Sequence, residues 1–135
     1  SKEKKVGLTK RITFKKFFKK INMKKIKTNN FLNNIKKNKT IHGYGASTKG
    51  NVLLQYFGIN NKIINFIAEK NNQKFNNYTP GTKIKIISED NSRNLKPDYY
   101  FVLPWHFKKE ILAREKKIRL KGTKFIFPLP KFEVI

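Results

Sequence analysis

Cysteine is absent from the 135-residue chain, which excludes disulfide bonds, thiolate zinc sites and a catalytic thiol. Its absence also favours a reducing compartment. Long hydrophobic segments are missing too, since the longest largely apolar run, residues 99–107, contains Pro104 and is too short to cross a bilayer. The N-terminus shows no apolar segment of the signal-peptide type. We therefore expect a cytoplasmic protein without membrane association.

Acidic residues and histidines are scarce, eight and two respectively, so few groups are available for general acid–base catalysis. The chain has no Ser–His–Asp set around a nucleophile elbow, no His-Glu-x-x-His segment and no spaced carboxylate pair beside a metal-type cluster. We therefore assign no catalytic residue and no metal ligand. Of the two histidines, His42 falls inside a predicted strand and is interpreted as structural.

Basic residues dominate instead, and 32 Lys and Arg give a formal net charge of +24. Such an excess attracts polyanions, so a basic nucleic-acid-binding module is one hypothesis. Only four of these residues are Arg, the side chain that reads guanine edges and phosphates through paired hydrogen bonds. A joint excess of Lys, Asn and Ile is also typical of A+T-rich coding DNA. We therefore expect any nucleic-acid binding to be nonspecific.

The length suits one domain with its own hydrophobic core. The chain begins with Ser rather than Met, and we take it as a piece of a longer protein. Residues 1–39 are interpreted as a basic linking helix or arm, and residues 40–135 as the body of the domain.

The arm shows helical periodicity over residues 13–38. Its apolar positions Phe14, Phe17, Phe18 and Ile21 fall on one helical face, with lysines on the other. Thr13 is a candidate cap, and a weak zone at residues 28–30 predicts a break. A basic amphipathic helix can bind membrane or nucleic acid, but the aromatic stripe favours packing against the body.

The body alternates short apolar segments with helical ones, which predicts an α/β fold with an open, mainly parallel sheet of about five strands and flanking helices, preceded by the basic N-terminal helix. The predicted strands are residues 40–45, 63–67, 83–87, 99–103 and 124–127. The predicted helices are residues 51–57, 88–94 and 105–121, and residues 79–82 suit a type II turn.

A glycine-containing loop follows the first strand. Gly43 and Gly45 precede a helix, so free backbone N–H groups at the helix start can hold an anion. Lys49 can add charge, and Ser47 and Thr48 can add hydroxyl donors. The pattern is neither a complete Gly-x-Gly-x-x-Gly nor a Walker loop. A stand-alone dinucleotide-binding protein is therefore a further, weaker hypothesis.

Ligands of open α/β sheets bind outside the carboxyl ends of the strands. Glu69 follows the second strand, where a carboxylate commonly accepts hydrogen bonds from a ribose, although an ordinary solvated Glu explains it equally well. Trp105 and His106 follow the fourth strand. Trp105 can stack on a ring or fill the core, and His106 can bind a ligand or simply neighbour a helix cap.

Four ordered blocks, covering residues 40–135, resemble the C-terminal domain of sugar (NDP-hexose) C-methyltransferases that depend on S-adenosylmethionine (SAM). They are His-Gly-Tyr-Gly-Ala-Ser-Thr-Lys-Gly-Asn at 42–51, Tyr-Thr-Pro-Gly-Thr at 78–82, Lys-Pro-Asp-Tyr at 96–99 with Leu-Pro-Trp-His-Phe at 103–107, and Gly-Thr-Lys-Phe-Ile at 122–126 with Pro-Leu-Pro at 128–130. The arm is similar to the family's linking helix.

The resemblance implies a Rossmann-like domain that acts in deoxysugar biosynthesis and helps to hold the nucleotide part of a nucleotide-linked sugar. Full-length relatives also carry a zinc-binding segment and a central domain that binds SAM and holds the catalytic residues. This chain is then expected to bind no cofactor, to be inactive alone, and to work with a SAM-binding methyltransferase domain in cis or in trans.

The residues predicted to bind the nucleotide-sugar combine the loop, the strand ends and the motif positions. Glu69 departs from the family pattern, in which Asp is frequent. The set is Gly43, Tyr44, Gly45, Ala46, Ser47, Thr48, Lys49, Gly50, Asn51, Glu69, Tyr78, Pro104, Trp105 and His106.

Overall fold

The computed structural model describes residues 2–135, with side chains for residue 16 and residues 19–135. The first element is a long helix, α1 (Lys2–Ile35). The predicted helix start at Thr13 is wrong, because that residue lies inside α1. The side chains of the Phe14, Phe17 and Phe18 stripe lie outside the described set.

The predicted break at residues 28–30 is also wrong, because tertiary contacts hold the helix there. Thr28 and Leu32 are fully buried, and Asn29 Nδ2 donates to the Phe57 carbonyl at 2.8 Å. Packing of this face against the body outweighs the weak helix propensity of Thr and Asn.

The remaining elements alternate as the sequence pattern predicts. Two short 3₁₀ turns, Asn72–Lys74 and Trp105–Phe107, interrupt the connections. In chain order the elements are β1 (Ile41–Tyr44), α2 (Thr48–Phe57), β2 (Phe66–Glu69), β3 (Lys85–Ser88), α3 (Glu89–Asn94), β4 (Tyr99–Val102), α4 (Lys108–Arg114), α5 (Lys116–Leu120), β5 (Lys124–Phe127) and β6 (Glu133–Val134).

These strands form one sheet in the order β3-β2-β1-β4-β5-β6. Strands β1 to β5 are parallel, and β6 pairs antiparallel with β5. The predicted α/β fold with a mainly parallel sheet is confirmed, with one additional strand. After β1 the chain adds β2 and β3 on one side of that strand, and β4 then pairs with β1 on its other side. The topological switch point therefore lies between β1 and β4.

Several element boundaries differ from the sequence prediction, including those of the second strand, α2 and the helix predicted over residues 105–121. The second strand is shifted to Phe66–Glu69, because the buried Ile64 lies in the turn that precedes it. Helix α2 starts at Thr48 and therefore includes three residues assigned to the loop. The helix predicted over residues 105–121 is divided into a 3₁₀ turn, α4 and α5, with Glu115 at the junction.

The sheet separates two hydrophobic cores. Leu32 of α1, together with Leu54 and Phe57 of α2, packs on one face. Tyr100 and Ile111 belong to the opposite core, on the side of α3, α4 and α5. Each fully buried large apolar side chain stabilises the fold by roughly 1.5–3 kcal/mol, so together they hold the carboxyl edge of the sheet in place. Within residues 2–135, no helix is long and apolar enough to span a bilayer.

Candidate functional site

The loop after β1 lies at the switch point, against the end of β4. Gly45 has φ 83°, and a Cβ added there would come within 2.9 Å of Pro104 Cδ. In the first turn of α2, a Cβ on Gly50 would lie 2.6 Å from Leu103 Cβ. Both glycines are therefore required by close approach to the segment that follows β4.

Hydrogen bonds account for some of the amides in this loop. The Gly45 amide donates to the Ala68 carbonyl at 2.8 Å, and the Ala46 amide donates to Glu69 Oε2 at 3.0 Å. Ser47 caps α2, since its Oγ accepts from the Gly50 amide at 3.0 Å.

Three consecutive amides remain, those of Ser47, Thr48 and Lys49. They have no acceptor among the described residues. Thr48 and Lys49 are exposed, and α2 has no acidic residue in its first turn. The positive end of the helix dipole therefore has no carboxylate to neutralise it, and Lys49 adds a positive charge to the same turn. At the other end of α2, the Phe57 carbonyl accepts a hydrogen bond from Asn29 of α1.

Glu69, at the end of β2, organises the loop. It accepts a hydrogen bond from the Ala46 amide, while Lys74 Nζ donates to the Ala46 carbonyl at 2.7 Å, so both backbone groups of Ala46 are bonded to side chains. One carboxylate oxygen of Glu69 is thus engaged within the protein. An anion bound to this loop would meet the amides of residues 47–49 rather than that of Ala46.

Asn51 has a different setting from the rest of the loop. Its Nδ2 donates to the Pro80 carbonyl at 3.3 Å, and its Oδ1 accepts from Thr82 Oγ1 at 3.2 Å. Gln55 Nε2 also donates to Pro80, at 2.9 Å. Asn51 therefore fastens the turn at residues 79–82 to α2, which explains why both motifs occur in one domain. Tyr78 precedes that turn and is 61% exposed.

A cleft of about 310 Å³ opens at the carboxyl edge, on the side of α3 and α4. Four predicted site residues line it: Tyr44, Gly45, Glu69 and Pro104. Seven further residues complete the lining: Ala68, Lys70, Glu89, Phe107, Glu110, Ile111 and Arg114.

Sequence reasoning missed the contribution of α4 to this cleft. Phe107 falls within the helix predicted over residues 105–121, and its side chain is 52% exposed. The residues at 107, 110, 111 and 114 fall at i, i+3, i+4 and i+7, which places them on one helical face. That spacing is the signal from which the wall could have been found.

Trp105 and His106 do not line the cleft. Trp105 is partly buried and packs against both hydrophobic cores. His106 is exposed, with its ring centroid 4.3 Å from that of Phe107. These contacts agree with the interpretation of Trp105 as a side chain that fills the core.

A charged network lies beneath the cleft. Tyr44 Oη donates to Glu115 Oε1 at 2.9 Å, and Arg93 bridges Glu115 to Glu89. Arg114 Nη2 contacts both oxygens of Glu89, at 2.9 and 2.8 Å. Burial and the neighbouring Glu115 carboxylate raise the pKa of Tyr44 well above its ordinary value, so its hydroxyl remains a donor. The hydrogen bond to Glu115 likewise raises the pKa of Arg93.

His42 lies on the same side of the sheet and is 1% exposed. Its Nδ1 is 2.7 Å from Ser92 Oγ, which is 2.6 Å from Tyr100 Oη. Burial lowers the pKa of His42 to about 4, so the ring is neutral near pH 7. These contacts agree with the interpretation of His42 as a structural residue. Among the side chains that the structure describes, no group of three or more His, Cys, Asp or Glu could bind a metal ion.

The strand order and the glycine-containing turn after β1 define a Rossmann-like α/β domain. The family model of the C-methyltransferase C-terminal domain matches residues 1–130, and the chain belongs to this family. It is 38% identical over 97 residues to C-methyltransferase NovU of Streptomyces niveus. The match covers 72% of this chain and 23% of that relative, so the chain spans about a quarter of the length of the protein it matches.

Proposed function

We propose that this chain holds the nucleoside diphosphate part of a nucleotide-linked sugar for a SAM-dependent C-methyltransferase. The SAM-binding catalytic domain lies outside these 135 residues, in the same polypeptide or in a separate chain. Within this proposal the chain binds no cofactor of its own and transfers no methyl group alone. It presents the substrate to the catalytic part.

One observation carries the proposal: three adjacent amides at the start of α2, those of Ser47, Thr48 and Lys49, have no acceptor within the part of the chain that the structure describes. A diphosphate carries negative charge and several acceptor oxygens, which suits N–H groups at a helix N-terminus. The loop lies at the switch point, where open α/β sheets bind their ligands. Membership of the C-methyltransferase family supports a substrate-holding role in methyl transfer.

The test is calorimetry of the chain with dTDP, UDP and inorganic pyrophosphate. Thr48→Pro is the most informative variant, because it removes one amide donor at the first position of α2. Proline is well tolerated there, and Ser47 already has the extended conformation that a following proline requires, with φ −101° and ψ 159°. We expect the thermal stability to be retained and the Kd for all three ligands to rise about tenfold.

Lys49→Ala tests the ammonium group, with Lys62→Ala as its control. Both lysines are exposed, but Lys62 precedes β2, at the opposite edge of the sheet. The two variants lower the net charge equally, so only a local effect can separate them. Equal weakening by the two variants would show that the affinity comes from general electrostatic attraction. The proposal is overturned if none of the three ligands binds at millimolar concentration.

A further inference from the structure

We infer that the cleft at the carboxyl edge holds the nucleoside of this ligand, with its base against Phe107, while the diphosphate is bound at the start of α2. The inference rests on the proposed function. It adds α4 as a binding surface and states which end of the ligand lies in the cleft. Both points follow from the shape and charge of the cleft.

The shape of the cleft suits a flat ring. Phe107 is 52% exposed, an unusual state for a large aromatic side chain, and Pro104, Ala68 and Ile111 line the same cleft. Any of the nucleobases can stack on an exposed aromatic ring. The volume of about 310 Å³ is at the lower end of the range, roughly 300–1,000 Å³, that holds small ligands. The cleft therefore has room for part of a nucleotide-sugar but not for all of it.

The charge of the cleft disfavours the phosphates. Three of the eight acidic residues of the chain, Glu69, Glu89 and Glu110, line this one cleft. Of its two basic residues, Arg114 is already paired with Glu89. Glu89 and Arg114 compensate each other, so Glu69 and Glu110 face Lys70 and the three carboxylates outnumber the two basic side chains by one. On a protein with a net charge of +24, this cleft therefore suits an uncharged base and ribose better than phosphate.

The remaining choice is between the nucleoside and the sugar. Within the proposed function, the sugar must reach a methyl donor held by another domain. The sugar must therefore point away from this chain, which leaves the nucleoside to fill the cleft. Glu69 joins the two parts of the site, because it lines the cleft and also accepts a hydrogen bond from the Ala46 amide beside α2.

Trp105 provides a spectroscopic reporter for this site. It is the one tryptophan of the chain, its ring centroid lies 5.5 Å from that of His106, and His106 lies 4.3 Å from Phe107. A base stacked on Phe107 would alter the surroundings of this short aromatic series. We expect dTDP to change the Trp105 emission and inorganic pyrophosphate to leave it almost unchanged.

The experiment compares dTDP with inorganic pyrophosphate on the full 135-residue chain and its Phe107→Ala variant. We expect Phe107→Ala to raise the Kd for dTDP about tenfold and to leave the Kd for pyrophosphate unchanged, since only dTDP carries a base. Leu120→Ala is the matched control, because this apolar side chain of α5 is 79% exposed and does not line the cleft. It should leave both Kd values unchanged.

A second variant tests the charge argument without removing the aromatic ring. Glu110→Lys places a positive charge in the cleft, and we expect it to create a second, weaker site for pyrophosphate. The inference is overturned if Phe107→Ala binds dTDP as tightly as the unmodified chain, or if it weakens pyrophosphate equally. If the unmodified chain binds neither ligand, the proposed function itself fails. If it binds both and only the Phe107 prediction fails, the proposed function stands without this inference.

Discussion

Helices α2 and α3 both begin at the carboxyl edge of the sheet behind a serine cap, Ser47 and Ser88 respectively, yet their first turns differ. The first turn of α3 contains Glu89 and Asp90, whereas that of α2 contains no acidic residue. Carboxylates at a helix N-terminus neutralise the positive end of the helix dipole. The start of α3 is therefore satisfied from within the protein, whereas the start of α2 has no such carboxylate and, under the proposed function, receives the anion of the ligand.

Glu89, one of the two acidic residues in the first turn of α3, is used in the interior contacts of the domain. Glu89 is paired with Arg93 and Arg114, and Arg93 continues to the buried Glu115. An acidic residue in the first turn thus helps to fix the position of α3, whereas the first turn of α2 has no acidic residue. The comparison separates a helix start that is neutralised internally from one that is proposed to bind a ligand, and the following substitutions test that difference.

The largest expected effect concerns the network that holds α3. Glu115→Ala would leave Tyr44 Oη and the Arg93 guanidinium without their buried acceptor, and we expect the free energy of unfolding to fall by about 3 kcal/mol. Denaturant unfolding measures this change. Asp90→Asn is the control, because the Asp90 side chain is 93% exposed and its pair with Arg93 should contribute less than about 1 kcal/mol. Similar losses in the two variants would show that the interior network does not hold α3.

The next effect is a pH dependence carried by His42, which contacts Ser92 of α3. Its folded pKa of about 4 lies below the ordinary value of 6.5, so protonation favours the unfolded chain. Its contribution to the free energy of unfolding is complete above about pH 6.5 and is lost as the pH falls through 4, with a maximum of about 3 kcal/mol.

His42→Gln removes this titration. We expect its free energy of unfolding to vary less between pH 6.5 and 4 than that of the unmodified chain, as measured by denaturant unfolding at several pH values. Identical pH profiles for the two proteins would contradict a neutral, buried His42.

The smallest stability effect comes from making α2 resemble α3. Lys49→Glu places a carboxylate in the first turn of α2, and we expect the free energy of unfolding to rise by about 0.5 kcal/mol through the helix dipole. The same change should abolish dTDP binding, since the helix start would then be neutralised internally. Lys62→Glu changes the net charge equally and should retain most of the affinity. Loss of binding in both variants would argue against a local site at α2.

Local patterns in the sequence account for much of the fold. The glycines before α2, Gly58 at its C-terminus and the apolar run of β4 each depend on nearby residues, so the predicted alternation of strands and helices is confirmed. The two-residue strand β6 is too short to produce a periodic pattern. The break between α4 and α5 could not be predicted from neighbouring residues. It occurs at Glu115, whose hydrogen-bond partners Tyr44 and Arg93 are distant in sequence.

The site was predictable to the extent that one segment forms it. Residues 45–50 are adjacent in sequence, and the structure keeps them together at the start of α2. The amide partners of Gly45 and Ala46 come from β2, so only the assembled sheet shows that three amides remain. The α4 wall of the cleft likewise depends on how that helix packs over β1 and β2. Sequence reasoning therefore found the loop but missed Phe107.

The most direct test is an NMR titration of the isotope-labelled chain with inorganic pyrophosphate, followed through its backbone amides. The account predicts that the largest shifts occur at the amides of Ser47, Thr48 and Lys49, while those of Glu89 and Asp90 at the start of α3 remain unchanged. Equal shifts at the two helix starts, or shifts spread over the lysine-rich surface with none concentrated at residues 47–49, would contradict it.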